Sequence, residues 1–318
     1  MIERIVKALR ASETIMIVSH ISPDGDTCAC GLALMRALEN IGKSVRLFCQ
    51  DKPSGKLQTM PGADRYEQAP APRGVDLAIA VDCGDPGRLG DYWDAYRHAK
   101  VRVNIDHHRS NPNFGSLNYV RPTSAASESV YLILKELDRQ TPCLDETIAQ
   151  LLYTGIVTDS GGFTFSYVTP QTHRIAAELT EFDIPASEIC DRFLKETDPK
   201  TFALRNRVLS KTKFYADGQV GIICFMQEDF DATDTNPDHT NGIINAVRDV
   251  RGVRVAVSIT QDGAQRYKIS IRTDDSVDAS RIAMTFGGGG HKNAAGCRLQ
   301  GYFEDVSDKL VKACTDPL

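Results

Sequence analysis

Eight residues in the first half of the chain are of types that hold metal ions or move protons, and they fall at four places. These are His20, Asp24 and Asp26 in HISPDGD, Asp82 in VDCGD, Asp106, His107 and His108 in NIDHHRS, and Asp159 in VTDSGG. Taken singly, each reads most simply as a cap, a turn residue or a solvated carboxylate. Taken together they do not. Five carboxylates brought to one place repel, and they must take up protons unless cations sit between them. Carboxylate mixed with imidazole suits Mn²⁺, whereas oxygen alone favours Mg²⁺ or Ca²⁺ and thiolate favours zinc. Six ligand side chains are too many for one ion. Two ions sharing a carboxylate would stand about 3.5–4 Å apart, activating water and neutralising a phosphoryl group in line with it. The chemistry this predicts is phosphoester hydrolysis.

Such a cluster needs elements that deliver it. Four short runs, TIMIVS (14–19), SVRLFC (44–49), LAIAV (77–81) and VRVNI (101–105), are unbroken apolar stretches of the kind found in parallel strands buried on both faces. Helical patterns follow in Leu32, Met35, Leu38 and Ile41, and again in Val130, Leu132, Leu134 and Leu137. The expected fold class is α/β, a doubly wound, mainly parallel sheet. In that fold ligands bind outside the carboxyl ends of the strands. His20, Asp82 and Asp106 fall at three of those ends. A further helix over about 145–157 runs into a Gly-rich turn that can return Asp159 to the same edge.

The first lobe is expected over 1–190 and a helical linker over 191–215, through LKETDPKTFALRNR. A smaller α+β lobe should then cover 216–318, with strands QVGIICF, VRVAVSIT and YKISIRT and a helix near 240–249. Two lobes imply a cleft, and the active site is expected in it.

Composition narrows the partners. A net charge of 37 − 42 = −5 has the wrong sign for holding long nucleic acid through its phosphates. No run approaches the ~18 apolar residues of a membrane span. The N-terminal MIERIVKALR is broken by Glu3, Arg4, Lys7 and Arg10 and does not read as a signal peptide. Nine cysteines without framework spacing point to reduced thiols, so the protein is expected in the cytoplasm. Cys28 and Cys30 lack the second pair that a zinc site needs. His98, His173 and His239 read as surface residues, and Tyr92 and Trp93 as packing rather than a base platform. Ser124 and Ser127 read as helix caps ahead of phosphate contacts.

The strings HISPDGDTCACGLAL, VDCGDPGRLG, NIDHHRSNPNFG and YTGIVTDSGGFTF resemble, in order, the four motifs of the DHH phosphoesterases. IAMTFGGGGHKNAAGC, preceded by SIRT, is similar to the DHH-associated domain. The resemblance implies that His20, Asp24 and Asp82 hold one manganese ion, that Asp26, Asp82, His107 and Asp159 hold a second, and that Asp82 bridges. It implies that Asp106 orients an imidazole and that His108 faces the scissile phosphate. It gives substrate binding to Arg272 and to Gly288, Gly289, Gly290 and His291, with the glycine run read as a nest of N–H groups gripping an anion. Two-domain members of this length cut short RNA or DNA oligonucleotides to 5′-mononucleotides and act on small phosphorylated nucleotides such as 3′,5′-adenosine bisphosphate. The alternatives are a cyclic dinucleotide phosphodiesterase and a nucleotide-binding regulatory module, and a homodimer stays open. The pyrophosphatase branch would need a Lys/Arg-rich C-terminal motif in place of the glycine run.

Overall fold

Strands with no polar face must be covered on both sides, and the first half of the chain satisfies this with helices and loops laid on either face of one sheet. The computed structural model describes residues 1–316, and His291 by its backbone only. It divides into two units, Met1–Glu196 and Thr197–Leu318. The first contains α1 (Ile2–Ala11), β1 (Thr14–Ser19), α2 (Gly25–Asn40), β2 (Ser44–Phe48), β3 (Tyr66–Glu67), β4 (Leu77–Val81), α3 (Trp93–Arg97), β5 (Val101–Asp106), β6 (Leu117–Val120), α4 (Ala126–Asp138), α5 (Glu146–Asp159), α6 (Pro170–Thr180) and α7 (Ala186–Cys190).

Its six strands form a wholly parallel sheet in the order β3-β2-β1-β4-β5-β6. The alternation along β1 shows the double cover. Ile15 and Ile17 join the core built with Leu34 and Leu38 of α2, Val130 and Leu134 of α4 and Leu152 of α5. Met16 and Val18 join the opposite core with Phe48, Ala78, Ala80 and Tyr96. The strand order reverses between β1 and β4, so the connections leave these neighbours in opposite directions and open a crevice at their carboxyl ends. Tyr92 is buried, and Trp93 packs on Tyr96 and Phe114, so both belong to the core as expected. The short strands β3 and β6 were not expected. Each lies at a sheet edge, where half-exposed polar residues break the apolar run.

The second unit contains α8 (Pro199–Leu209), β7 (Lys213–Tyr215), β8 (Val220–Phe225), α9 (Gln227–Thr233), α10 (Ile243–Arg248), β9 (Val255–Gly263), β10 (Arg266–Thr273), α11 (Ala279–Met284), β11 (Gly289–His291), β12 (Ala294–Gln300) and α12 (Phe303–Thr315). Its sheet has the order β11-β12-β10-β9-β8-β7 and is antiparallel except for the β8–β9 pair. Within the segment expected as a linker, α8 buries Leu204 and Val208 against Ile223 and Phe225. Among the described residues no helix is long and apolar enough to cross a membrane.

Candidate metal centre

Each residue of the cluster leaves its element at a point the local backbone fixes. His20 follows the last residue of β1. Asp24 is the N-cap of α2, where Oδ1 accepts from the Thr27 N–H at 3.1 Å and Oδ2 is left facing His20. Asp26 lies in the first turn of the same helix, fully buried, and accepts from the Ala126 N–H, the Ser127 N–H and the Ser127 hydroxyl at the start of α4. Asp82 follows β4 with φ of +51°, a left-handed conformation that a non-glycine residue adopts at a cost of order 1–3 kcal/mol. Asp106 ends β5, and His107 and His108 follow it. Asp159 is the last residue of α5 rather than part of the turn beyond it. Helices α2 and α5 meet closely because Gly155 has no side chain, since a Cβ there would stand 2.1 Å from Ser127 Oγ and 2.7 Å from Asp26 Oδ1.

The ligand atoms gather into overlapping groups, His20–Asp24–Asp82 and Asp26–His107–Asp159, and Asp82 also groups with His107 and His108. Asp82 reaches both ways. Its Oδ2 is 3.6 Å from His20 Nε2 and its Oδ1 is 3.3 Å from His107 Nε2. His20 Nε2 is also 3.6 Å from Asp24 Oδ2, and His107 Nε2 is 3.5 Å from Asp159 Oδ2. Two atoms each about 2.1 Å from a common ion stand about 3.0–3.5 Å apart. Asp82 Oδ1 and Asp159 Oδ2 are buried with no hydrogen-bond partner, an expensive arrangement that a cation would relieve. Both histidines are turned for ligation. Nδ1 of His20 lies 2.8 Å from the Ile21 carbonyl and Nδ1 of His107 lies 3.2 Å from the Thr123 carbonyl, so a proton held there leaves the Nε2 lone pair facing the carboxylates. The residues therefore fit metal ions.

Electrostatics agree. Burial, with the neighbouring carboxylates, pushes Asp26 and Asp159 well above the ordinary carboxylate range. Burial would lower His20 and His107, but the facing carboxylates outweigh it and hold them at about 10 and about 11. Asp82 goes the other way. Its burial is outweighed by His107 and His20, which keep it below the usual range. A cluster that draws protons this strongly is one that draws cations.

Asp106 orients His108, whose Nδ1 lies 2.7 Å from Asp106 Oδ1. Asp106 is itself fully buried and accepts from the Asn111 side-chain amide, which also donates to Asn104 Oδ1 at 2.7 Å and to the Cys83 carbonyl at 3.1 Å. Beside His107 and His108 opens a cavity of about 400 Å³, lined also by Arg109, Asn111, Asn113, Val120 and Pro122.

Four positioning residues escaped the sequence reading. Asn104 and Asn111 were given no role, although both lie inside NIDHHRSN. Arg88, in VDCGDPGRLG, donates to the Ile21 carbonyl at 3.4 Å, the same carbonyl that faces His20 Nδ1. Ser127 was read as a helix cap, but it donates to Asp26, and Ser124 donates to the buried Glu128. Helix α4 has no side-chain cap.

In the second unit Arg272 lies on β10, half-buried, its guanidinium donating to the Ile271 carbonyl at 3.1 Å. Gly287 and Gly288 donate their N–H groups to Met284 and Ala283 at the end of α11, and Gly289 and Gly290 pair with β12. The glycine run is thus a helix stop leading into an edge strand, not a nest of four open N–H groups. The β11 backbone at His291 pairs with Ala294, which pairs in turn with Arg272. The side chain of His291 lies outside the described residues.

Comparison with known proteins accords with this geometry. Residues 14–156 match the model for the DHH family N-terminal domain, and residues 219–316 match that for the DHHA1 domain. The chain is 32% identical to the bifunctional oligoribonuclease and PAP phosphatase NrnA of Thermus thermophilus, over 99% of this chain and 93% of that protein. It is 24% identical to the Bacillus subtilis protein of the same name, over 96% and 95%. The fold matches the crystal structure of an exopolyphosphatase-related protein from Bacteroides fragilis with a TM-score of 0.91 and 24% identity, covering 99% of this chain and 95% of that one. Matched over nearly its whole length, the chain belongs to the DHH family and is a hydrolase of phosphoester bonds.

Proposed function

We propose that this protein is a manganese-dependent phosphodiesterase that cuts RNA or DNA oligonucleotides of a few residues to 5′-mononucleotides and converts 3′,5′-adenosine bisphosphate to AMP. The observation that carries this reading is the position of Asp82, one carboxylate oxygen toward His20 and the other toward His107. In this reading His20, Asp24 and Asp82 hold one ion, and Asp26, Asp82, His107 and Asp159 hold the other. When bound, the ions supply an activated water and neutralise the phosphoryl charge. The chain does the rest. Ser127 fixes Asp26, the Ile21 and Thr123 carbonyls fix the two imidazoles, and Asp106 aims His108 to give a proton to the leaving oxygen. Arg272, Gly288, Gly289, Gly290 and His291 bind substrate. The substrate class is supported by the relatives named as oligoribonucleases and PAP phosphatases. Nine unpaired cysteines, seven of them buried, support a reducing, cytoplasmic setting.

The test is product analysis. Protein stripped of metal and reloaded with Mn²⁺, Mg²⁺, Co²⁺ or Zn²⁺ is given a 5′-phosphorylated dinucleotide, adenosine bisphosphate and cyclic di-AMP. Mononucleotides and AMP, formed fastest with Mn²⁺, are expected. Hydrolysis of the cyclic dinucleotide alone, or of nothing, would overturn the proposal.

A further inference from the structure

We infer that Phe165 and Tyr167 form a nucleobase platform beside the metal centre, so that the DHH domain itself contributes base stacking. This rests on the nucleotide reading above and names residues that reading does not use. Large apolar side chains gain by leaving water. Among the described residues of the first unit those that stay exposed are Met1, Phe165, Tyr167 and Leu194, and all but Met1 gather at the turn that follows Asp159.

The turn is built to hold them there. Gly161 and Gly162 have φ of +58° and +65°. Phe163 N–H donates to Ser160 Oγ at 3.0 Å, the N–H groups of Thr164 and Phe165 donate to the Ser160 carbonyl at 3.1 and 3.2 Å, and Val168 N–H donates to the Phe165 carbonyl at 3.1 Å. Phe163 turns inward and stacks on His173. Phe165 does not. Its ring lies so close over Gly161 that a Cβ there would stand 2.6 Å from the ring, while 46% of the residue remains exposed. The Tyr167 ring is 5.6 Å from it and 47% exposed. Leu194 abuts Gly162.

The occupant follows from what the platform is tied to. Tyr167 Oη donates to the backbone carbonyl of Asp159 at 3.1 Å, so the rings are fastened to the residue whose carboxylate faces His107. With its hydroxyl engaged on the backbone, the pair offers aromatic faces. A base joined through its sugar to a phosphate at the metal centre brings the matching π-face, and stacking accepts any base, which suits an enzyme of short strands of mixed sequence. Tyr92 and Trp93, read from the sequence as packing rather than a base platform, are indeed spent on packing.

The test uses the whole chain loaded with Mg²⁺, which does not quench fluorescence, and 2-aminopurine riboside 5′-monophosphate, whose emission falls on stacking and which holds no phosphodiester to cut. Wild type should quench the probe. Phe165→Ala and Tyr167→Ala should lose the quench and raise KM for a dinucleotide about tenfold with a smaller change in kcat, and Phe165→Tyr should restore both. On a dinucleotide analogue lacking its bases the gap between wild type and variants should close. Unchanged quenching, or a gap of the same size on the baseless analogue, would overturn the platform. Quenching lost in the variants from a protein that hydrolyses no nucleotide would leave the platform standing and remove the reaction.

Discussion

Asp82 combines a left-handed backbone, burial and two oxygens facing different histidines, so its replacement should do more than any other single change. Asp82→Asn is expected to lose both ions and at least ~10³ in turnover, read as metal content and rate on the same preparation. His108→Ala should keep its metal and lose ~10²–10⁴ in kcat, as befits a lost proton donor. The charge cluster also fixes a pH dependence. Without metal, folded His20 holds its proton up to about 10, whereas an unfolded histidine releases it near 6.5, so its contribution is full below about 6.5 and is lost as pH rises through about 10. Asp26 and Asp159 have the same sign, because the folded protein keeps protons that unfolded carboxylates have already released. Asp82 is shifted the other way, but its contribution is already complete above pH ~4. Denaturant unfolding in EDTA should therefore show stability falling from pH 5 to 9, and added metal should flatten that slope. A metal-free protein that gains stability over this range would contradict the assignment.

At the scale of elements, the site depends on strand ends and on one close helix crossing. Gly155→Ala should push α5 away from α2 at Asp26 and from α4 at Ser127, costing about 1–3 kcal/mol of stability and weakening metal binding, measurable by thermal unfolding and metal titration. The strands that carry His20, Asp82 and Asp106 were legible because burial on both faces writes continuous apolar runs into the sequence. The edge strands β3, β6 and β11 were not, since an edge needs no such run. In the glycine run, glycine signals φ freedom without saying what each N–H binds: those of Gly287 and Gly288 close the end of α11, and Gly289 and Gly290 enter the edge strand β11. Asn104, Asn111 and Ser127 were invisible for a related reason. A polar residue in a loop motif looks the same whether it faces water or holds a buried carboxylate, and only the fold distinguishes them.

For the whole molecule, the net charge of −5 provides no long cationic track, so binding must rest on local contacts. Efficiency should be highest on strands of about two to five nucleotides and fall on longer ones, measured as time courses on 5′-labelled oligomers at fixed salt. Rising efficiency beyond about 20 nucleotides would instead require a binding track along the strand. The central claim is that one carboxylate joins two ions. It is tested most directly by electron paramagnetic resonance on protein titrated with Mn²⁺. Two ions per chain with an exchange-coupled spectrum, lost in Asp82→Asn, are predicted. One ion per chain, or two that remain magnetically independent, would contradict it.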